Sequence, residues 1–327
     1  MDRITSGAPP GWTPVRVNIN NGVPTIDWAR IVRPLQDPFF EQTAAVAMAE
    51  PFNELFARRT ALDALDDRAP AALPAGLIFH MSRCGSTLVA QMLSRMASTV
   101  VLSEAQPIDA LIRLHRRSGD AGETAFAQRL RALIAALCGT ASAGSRVFVK
   151  LHAWHVLSLP LLLRALPGVP WLFLFRDPAD VLASQERLPG AEVLASFDET
   201  LAAGIDPAAA AAMPTMLRTA AMTAAFCEAA VRAADLGRAS FVDYATLPGA
   251  VFSRILPFFG VRANANDLAA MHRIATRDTK GDGTAFVARL RPERTLPHGD
   301  AALASLDASY GSLRNLSSRG ITVRPAP

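Results

Sequence analysis

The segment from Gly76 to Leu93, GLIFHMSRCGSTLVAQML, constrains this chain more than any other. It predicts a short apolar strand, a compact polar loop from His80 to Ser86, and a helix opening near Thr87. A loop of small residues at a helix N-terminus leaves several backbone N–H groups free and aimed the same way. With the positive end of the helix dipole they form an anion site, typically for phosphate. Arg83 adds a fixed positive charge inside the loop. An ordinary βα turn has the same outline, so this segment needs support from elsewhere in the chain.

Strand–helix alternation continues downstream. Val100–Leu102, Arg146–Leu151, Trp171–Phe175 and Ser240–Val242 are predicted strands. Helical patterns run over 87–96, 107–116, 123–138, 156–166, 208–234, 247–259, 266–276 and 301–316, and another helix starts at Asp177-Pro178, a good N-cap followed by a first-turn proline. This alternation predicts an α/β fold with a mostly parallel central sheet flanked by helices. Half of the 327 residues are hydrophobic, enough for a sizeable core. Upstream, Asn20-Asn21-Gly22 between two alternating runs signals a hairpin, and helical periodicity runs from Phe39 to about Leu65. Asp66–Pro74, DDRAPAALP, reads as a linker. The expected organisation is a small N-terminal hairpin-plus-helix subdomain over 1–70 and a main domain over 71–327. The last ten residues are expected to fray.

The formal net charge is only +4, with Arg far outnumbering Lys. That is too mild for a nucleic-acid partner and suits a single anion pocket. Cys84, Cys138 and Cys227 are far apart and show neither a disulfide framework nor metal-ligand spacing, so a reducing cytoplasm is the expected location. The N-terminus lacks the apolar core of a signal peptide. The longest apolar run, Leu157–Phe175, is broken by Pro160, Arg164, Pro167 and Pro170, which argues against a membrane span.

A Walker A loop aligned on Gly85 and Thr87 needs Gly at 80 and Lys at 86; this chain has His80 and Ser86. The lysine that cradles the phosphates of ATP is therefore missing, which counts against kinase chemistry. Six residues after Cys84 stands Ala90 rather than the Arg of a cysteine phosphatase. Cys84 is either a thiol activated by Arg83 and the helix terminus or a small residue that fits a tight loop. Arg176 follows a buried strand and Ser184 lies eight residues on, so both can address one anion; a surface Arg176–Asp180 pair is the competing reading. Lys150 and His152 alternate at a strand end and can face one cleft, the Lys to stabilise developing negative charge and the His as a general base. Glu104, just past the second strand, is a further candidate base, and His155 a weaker one.

The order SRCGST, KLH, RDPADVLAS resembles the sulfotransferases, P-loop-like enzymes that use 3′-phosphoadenosine 5′-phosphosulfate (PAPS). The resemblance covers about residues 76 to 285. It implies that Arg83, Cys84, Gly85, Ser86, Thr87 and Leu88 form the loop that binds the 5′-phosphosulfate, and that Arg176 and Ser184 hold the 3′-phosphate. Lys280-Gly281 resembles a third element, a K-G loop, although its flanking residues differ. Cytosolic members carry Lys where this chain has Arg83; the loop is nearer the form found in carbohydrate and tyrosyl-protein sulfotransferases. The K-T-H strand end of cytosolic members matches Lys150–His152, which makes His152 the base. The glutamate of tyrosyl-protein members matches Glu104, so both remain candidates, with His152 preferred.

The reaction implied is in-line sulfuryl transfer to an acceptor hydroxyl or amine, releasing 3′,5′-adenosine bisphosphate (PAP). Arg83, Lys150 and the loop N–H groups would neutralise charge on the leaving phosphate, and no metal is expected. The partner implied is the nucleotide cosubstrate; the aliphatic loops over 105–140 and 186–215 point to an apolar or amphipathic acceptor or to plain core, and the first seventy residues read as a lid, a homo-oligomer contact or simple packing.

Overall fold

The computed structural model describes residues 10–67, 72–119, 122–139, 144–190, 197–276, 300–320 and 322–323. The chain opens with the expected hairpin, β1 (Thr13–Asn20) antiparallel to β2 (Val23–Ala29). Asn21 and Gly22 take φ of 49° and 78°, the backbone such a turn requires and these two residue types tolerate best. The helical run expected from Phe39 to Leu65 is broken. It gives α1 (Phe40–Met48), α2 (Pro51–Leu55) and then a strand, β3 (Arg58–Ala61), on the far edge of β2. Pro51 cannot continue α1. The later residues extend because their partners lie across the sheet: Arg59 Nε donates to Asp27 Oδ1 at 2.6 Å, and Trp28 Nε1 to Thr60 Oγ1 at 3.0 Å.

The main sheet contains β4 (Gly76–His80), β5 (Thr99–Ser103), β6 (Arg146–Lys150), β7 (Trp171–Phe175) and β8 (Arg238–Asp243). They lie in the order β5-β6-β4-β7-β8, all parallel, and β9 (Thr322–Val323) adds antiparallel to β8. β9 falls inside the tail expected to fray. Parallel neighbours need crossover connections, which here are mostly helical and cover the faces of the sheet. These helices are α3 (Ser86–Leu93), α4 (Gln106–Arg117), α5 (Glu123–Leu137), α6 (Leu159–Ala165), α7 (Pro178–Arg187), α8 (Phe197–Ala202), α9 (Pro207–Ala212), α10 (Thr215–Arg232), α11 (Leu256–Phe258), α12 (Ala265–Ala275) and α13 (Ala301–Ser318). The Ala-rich stretch expected as one helix is two, α9 and α10, because Pro214 pushes Met213 into an extended backbone.

Covered on both faces, the central strands are near-continuous apolar runs, with every residue of β4 and β7 buried. Each fully buried Phe or Leu there contributes about 1.5–3 kcal/mol. The buried cluster runs without a break from Val15, Ile26 and Trp28 of the small sheet to Phe79, Phe173 and Phe241 of the large one. Gln106 joins the two, its amide donating to Val17 O and accepting from Val17 N, both at 2.9 Å. The side chain thus satisfies the exposed edge of β1 as a further strand would. Among the described residues no helix is long and apolar enough to cross a membrane.

Candidate functional site

Chain direction sorts the strands: β5 and β6 lie to one side of β4, β7 and β8 to the other. The connections therefore diverge at the carboxyl end of β4, and ligands of open parallel sheets collect at such a switch point. The loop expected to bind an anion lies there.

The loop is tightly wound. Ser82, Arg83 and Gly85 have φ of 75°, 51° and 80°, and the first two are strained for residues with a Cβ. At Gly85 glycine is required twice over: the backbone is left-handed, and a Cβ would stand 2.8 Å from Leu247 Cδ1 and 2.9 Å from Tyr244 Cδ2. Helix α3 follows at once, so the N–H groups of its first turn lack intrahelical acceptors. Thr87 Oγ1 is buried beside them and has no hydrogen-bond partner among the described residues, as a site awaiting a ligand would leave it. Cys84 is fully buried and its thiol donates to Leu174 O at 3.2 Å. Of its two sequence readings the structure supports fit, not an exposed nucleophile.

Strand β7 and helix α7 bring the second element against this loop. Asp177 caps α7, accepting from Ala179 N at 2.9 Å and Asp180 N at 3.4 Å. Arg83 Nε donates to Ser184 Oγ at 2.8 Å, across 101 residues of sequence. Arg176 Nη1 donates to Arg83 O at 3.3 Å, and its guanidinium stacks on the Tyr244 ring, 4.2 Å from the centroid. The competing pair is also present: Arg176 Nη2 lies 2.7 Å from Asp180 Oδ2. A partly exposed pair one helical turn apart is worth only about 0.3–0.5 kcal/mol, less than a charge-assisted guanidinium–phosphate contact.

On the other side of β4 the ladder register decides what meets. Lys150 stands opposite both Ser103 of β5 and Ile78 of β4. Side chains two residues apart share a face, so Lys150, His152 and His80 emerge together. Glu104 follows Ser103 with φ of 54°, its N–H on Lys150 O at 2.8 Å. Its Oε1 accepts from the fully buried Lys150 ammonium and lies 3.3 Å from His80 Nε2, while Oε2 lies 3.4 Å from His152 Nδ1. Burial alone would raise the Glu104 carboxyl, but the Lys150 ammonium and then hydrogen bonds from His152 and His80 reverse this and hold it well below the usual carboxylate range. His80 Nδ1 accepts from Ser82 N at 3.1 Å, so in the neutral ring the proton is on Nε2, facing Glu104.

A further buried set lies behind His152. Its ring stacks on Trp154, centroids 4.3 Å apart and planes 9° apart. Asp109 Oδ1 accepts from Trp154 Nε1 at 2.7 Å and faces His155 Nε2 at 2.8 Å, and Asp109 Oδ2 accepts from Arg113 Nε at 2.8 Å. The N-terminal region closes the top: Phe39 covers the Lys150 ammonium at 5.2 Å, and Ser103 Oγ donates to Pro38 O at 2.8 Å.

Of the residues singled out in the sequence, Arg83, Arg176 and Ser184 meet on one side of β4, and Glu104, Lys150 and His152 on the other. Lys280 and Gly281 lie outside the described residues. Four residues escaped the sequence reading: His80, Tyr244, Asp109 and Trp154. His80 was open to discovery, since it ends the strand before the loop and lies two residues from the position level with Lys150. Tyr244, Asp109 and Trp154 carry no local signal. Among the described residues no group of three or more His, Cys, Asp or Glu side chains is arranged to hold a metal ion.

No family model and no curated protein matches the chain. Among solved structures it is similar to the sulfotransferase domain from the curacin biosynthetic pathway, with 15% identity and a TM-score of 0.47 over 74% of this chain and 99% of that one. It is also similar to sulfotransferase STF9 from Mycobacterium avium, at 13% identity and a TM-score of 0.41 over 86% of this chain and 83% of that one. A third is sulfotransferase STF1 from Mycobacterium tuberculosis H37Rv, at 12% identity and a TM-score of 0.40 over 70% of this chain and 77% of that one.

Proposed function

We propose that this protein moves a sulfuryl group from PAPS to an acceptor hydroxyl or amine by in-line transfer. The observation that carries the reading is the Arg83–Ser184 hydrogen bond, which joins the glycine-bearing loop and the RDPADVLAS helix into one cradle with two basic groups. The residues present fit a nucleotide with anions at both ends. Arg83, the N–H groups from Cys84 to Leu88 and the orphaned Thr87 hydroxyl would hold the 5′ end; Gly85 keeps Tyr244 and Leu247 close to them. Arg176 and Ser184 would hold the 3′-phosphate, with Arg176 leaving Asp180 for the better partner. Lys280-Gly281 remains the expected third element.

PAPS, when bound, supplies the sulfuryl group, and PAP is released. On the protein side, His152 is the base that takes the acceptor proton. A carboxylate held as low as Glu104 is a poor proton acceptor, and its Oε2 faces Nδ1 of His152, which orients the ring with Nε2 toward the acceptor. Glu104 therefore positions and Lys150 supplies positive charge at the same edge. The kinase-like alternative would use Asp177 on a metal, but its carboxylate is committed to capping α7. A cytoplasmic location fits the three free cysteines. Acceptors of apolar or amphipathic character fit the Phe39 cover.

Calorimetry with PAP and with ATP, each with and without Mg²⁺, tests the reading. Metal-independent binding of PAP at least tenfold tighter than ATP·Mg²⁺ is expected; preference for ATP·Mg²⁺ sinks it. Radiolabelled PAPS with a panel of apolar alcohols, phenols and amines then separates an enzyme from a protein that only binds the nucleotide.

A further inference from the structure

We infer that Asp109 anchors a platform, made by Trp154 and His155, that sets the plane and tautomer of His152, so that Asp109 and Trp154 are positioning residues for proton abstraction. The inference rests on His152 being the base. An imidazole turns easily about its outer torsion, where the energy wells are broad. The 3.4 Å contact to Glu104 is too long to fix it alone. The Trp154 indole, parallel to the ring at 4.3 Å, blocks that rotation, and His155 stands edge-on to His152 at 5.3 Å, closing a second side. Both partners are tied to a single oxygen, Asp109 Oδ1. The second oxygen is held by Arg113, which also lies 2.6 Å from Glu199 of α8. The carboxylate thus gathers three N–H donors around the back of one imidazole. Burial keeps His155 neutral, with its pKa pulled down to about 4, so it acts as a donor to Asp109 and not as a competing cation.

The test compares the full-length protein with Asp109→Asn, Trp154→Leu and Trp154→Phe. Asp109→Asn removes an acceptor that Arg113 needs; Trp154→Phe keeps a stacking ring but loses the anchoring N–H. Nitrogen-15 NMR of the His152 imidazole reads its tautomer whether or not any acceptor is turned over. Wild type is expected to show the Nδ1–H form alone, Asp109→Asn and Trp154→Leu a mixture of both forms, and Trp154→Phe an intermediate. Turnover should follow the same order, with kcat falling tenfold or more in the first two and severalfold in the third, and with KM for PAPS within twofold of wild type. An unchanged tautomer signal in Trp154→Phe and either other variant overturns the platform. So does a parallel loss of PAP affinity, which would mark general structural damage. Absence of transfer by wild type would remove the proposed function, and the NMR comparison would still decide the platform.

Discussion

The two sides of β4 hold their charged side chains differently. On the β7 side, Arg83 donates to the Ser184 hydroxyl, and Arg176 shares one partly exposed carboxylate and stacks on Tyr244. On the β6 side, Lys150 is fully buried against Glu104, and two histidines complete the carboxylate's shell. The proposed function gives the first side the anions of the nucleotide. The second pairs its buried ammonium with a carboxylate already in place, and the proposed function gives it the proton transfer. The same strand edge carries both because the connection after β4 departs toward β5 while β7 fills its other flank.

The sharpest way to break this contrast is His152→Ala. Loss of a positioned base costs about 10²- to 10⁴-fold in rate. We expect kcat to fall by that much while calorimetric PAP affinity stays within twofold; a matching loss of affinity would merge the two sides. Next is Lys150→Met, which strands Glu104 as a partly buried unpaired charge. Urea denaturation should show a loss of about 3–5 kcal/mol, and the double variant Lys150→Met/Glu104→Gln should recover most of it. No recovery would mean that packing under Phe39, not charge, is what Lys150 supplies.

Acid should act on the β6 side at two stages. His155 has a folded pKa of about 4 against 6.5 for a free histidine, so between these values the unfolded chain binds the extra proton. Its contribution, about 3 kcal/mol, is complete above pH 6.5 and lost as pH falls toward 4. Glu104, also depressed, adds a loss that begins near its ordinary carboxylate value and continues below it. Denaturation midpoints between pH 7 and pH 4 measure the first stage, and His155→Gln should flatten it. The smallest effect belongs to the anion side. Arg176→Ala should weaken PAP by roughly 10- to 150-fold, the worth of a hydrogen bond to a charged group, and 5′-AMP much less. Equal losses for both ligands would remove the 3′-phosphate assignment.

Much of this contrast was legible in the sequence wherever the signal was local. Strand–loop–helix punctuation around Gly85, the Asp177-Pro178 cap and the apolar WLFLF run each specify their own backbone, and all three are present as expected. Arg176 and Ser184 were readable because helical periodicity sets their separation. Signals failed where distant partners decided. Arg58–Ala61 carries a helical pattern, yet Asp27 and Trp28 pull it into a sheet. The Asp109 set was invisible because its members come from α4 and from the turn after β6, 45 residues apart.

The sequence by itself therefore determined most elements of the large sheet, the strand–loop–helix around Gly85 and the basic residues beside it, since each depends on neighbours within a turn or two. It also offered two rival bases, Glu104 and His152, and favoured His152 only because its neighbour Lys150 fits the same pattern. The tertiary structure adds the surroundings of each. Pairing β5 with β6 in register puts Ser103 opposite Lys150, and that single alignment delivers the lysine ammonium to Glu104. In a buried setting such a neighbour outweighs the desolvation that would otherwise raise a carboxyl, and that depressed carboxyl is what supports His152 over Glu104 in the proposed mechanism.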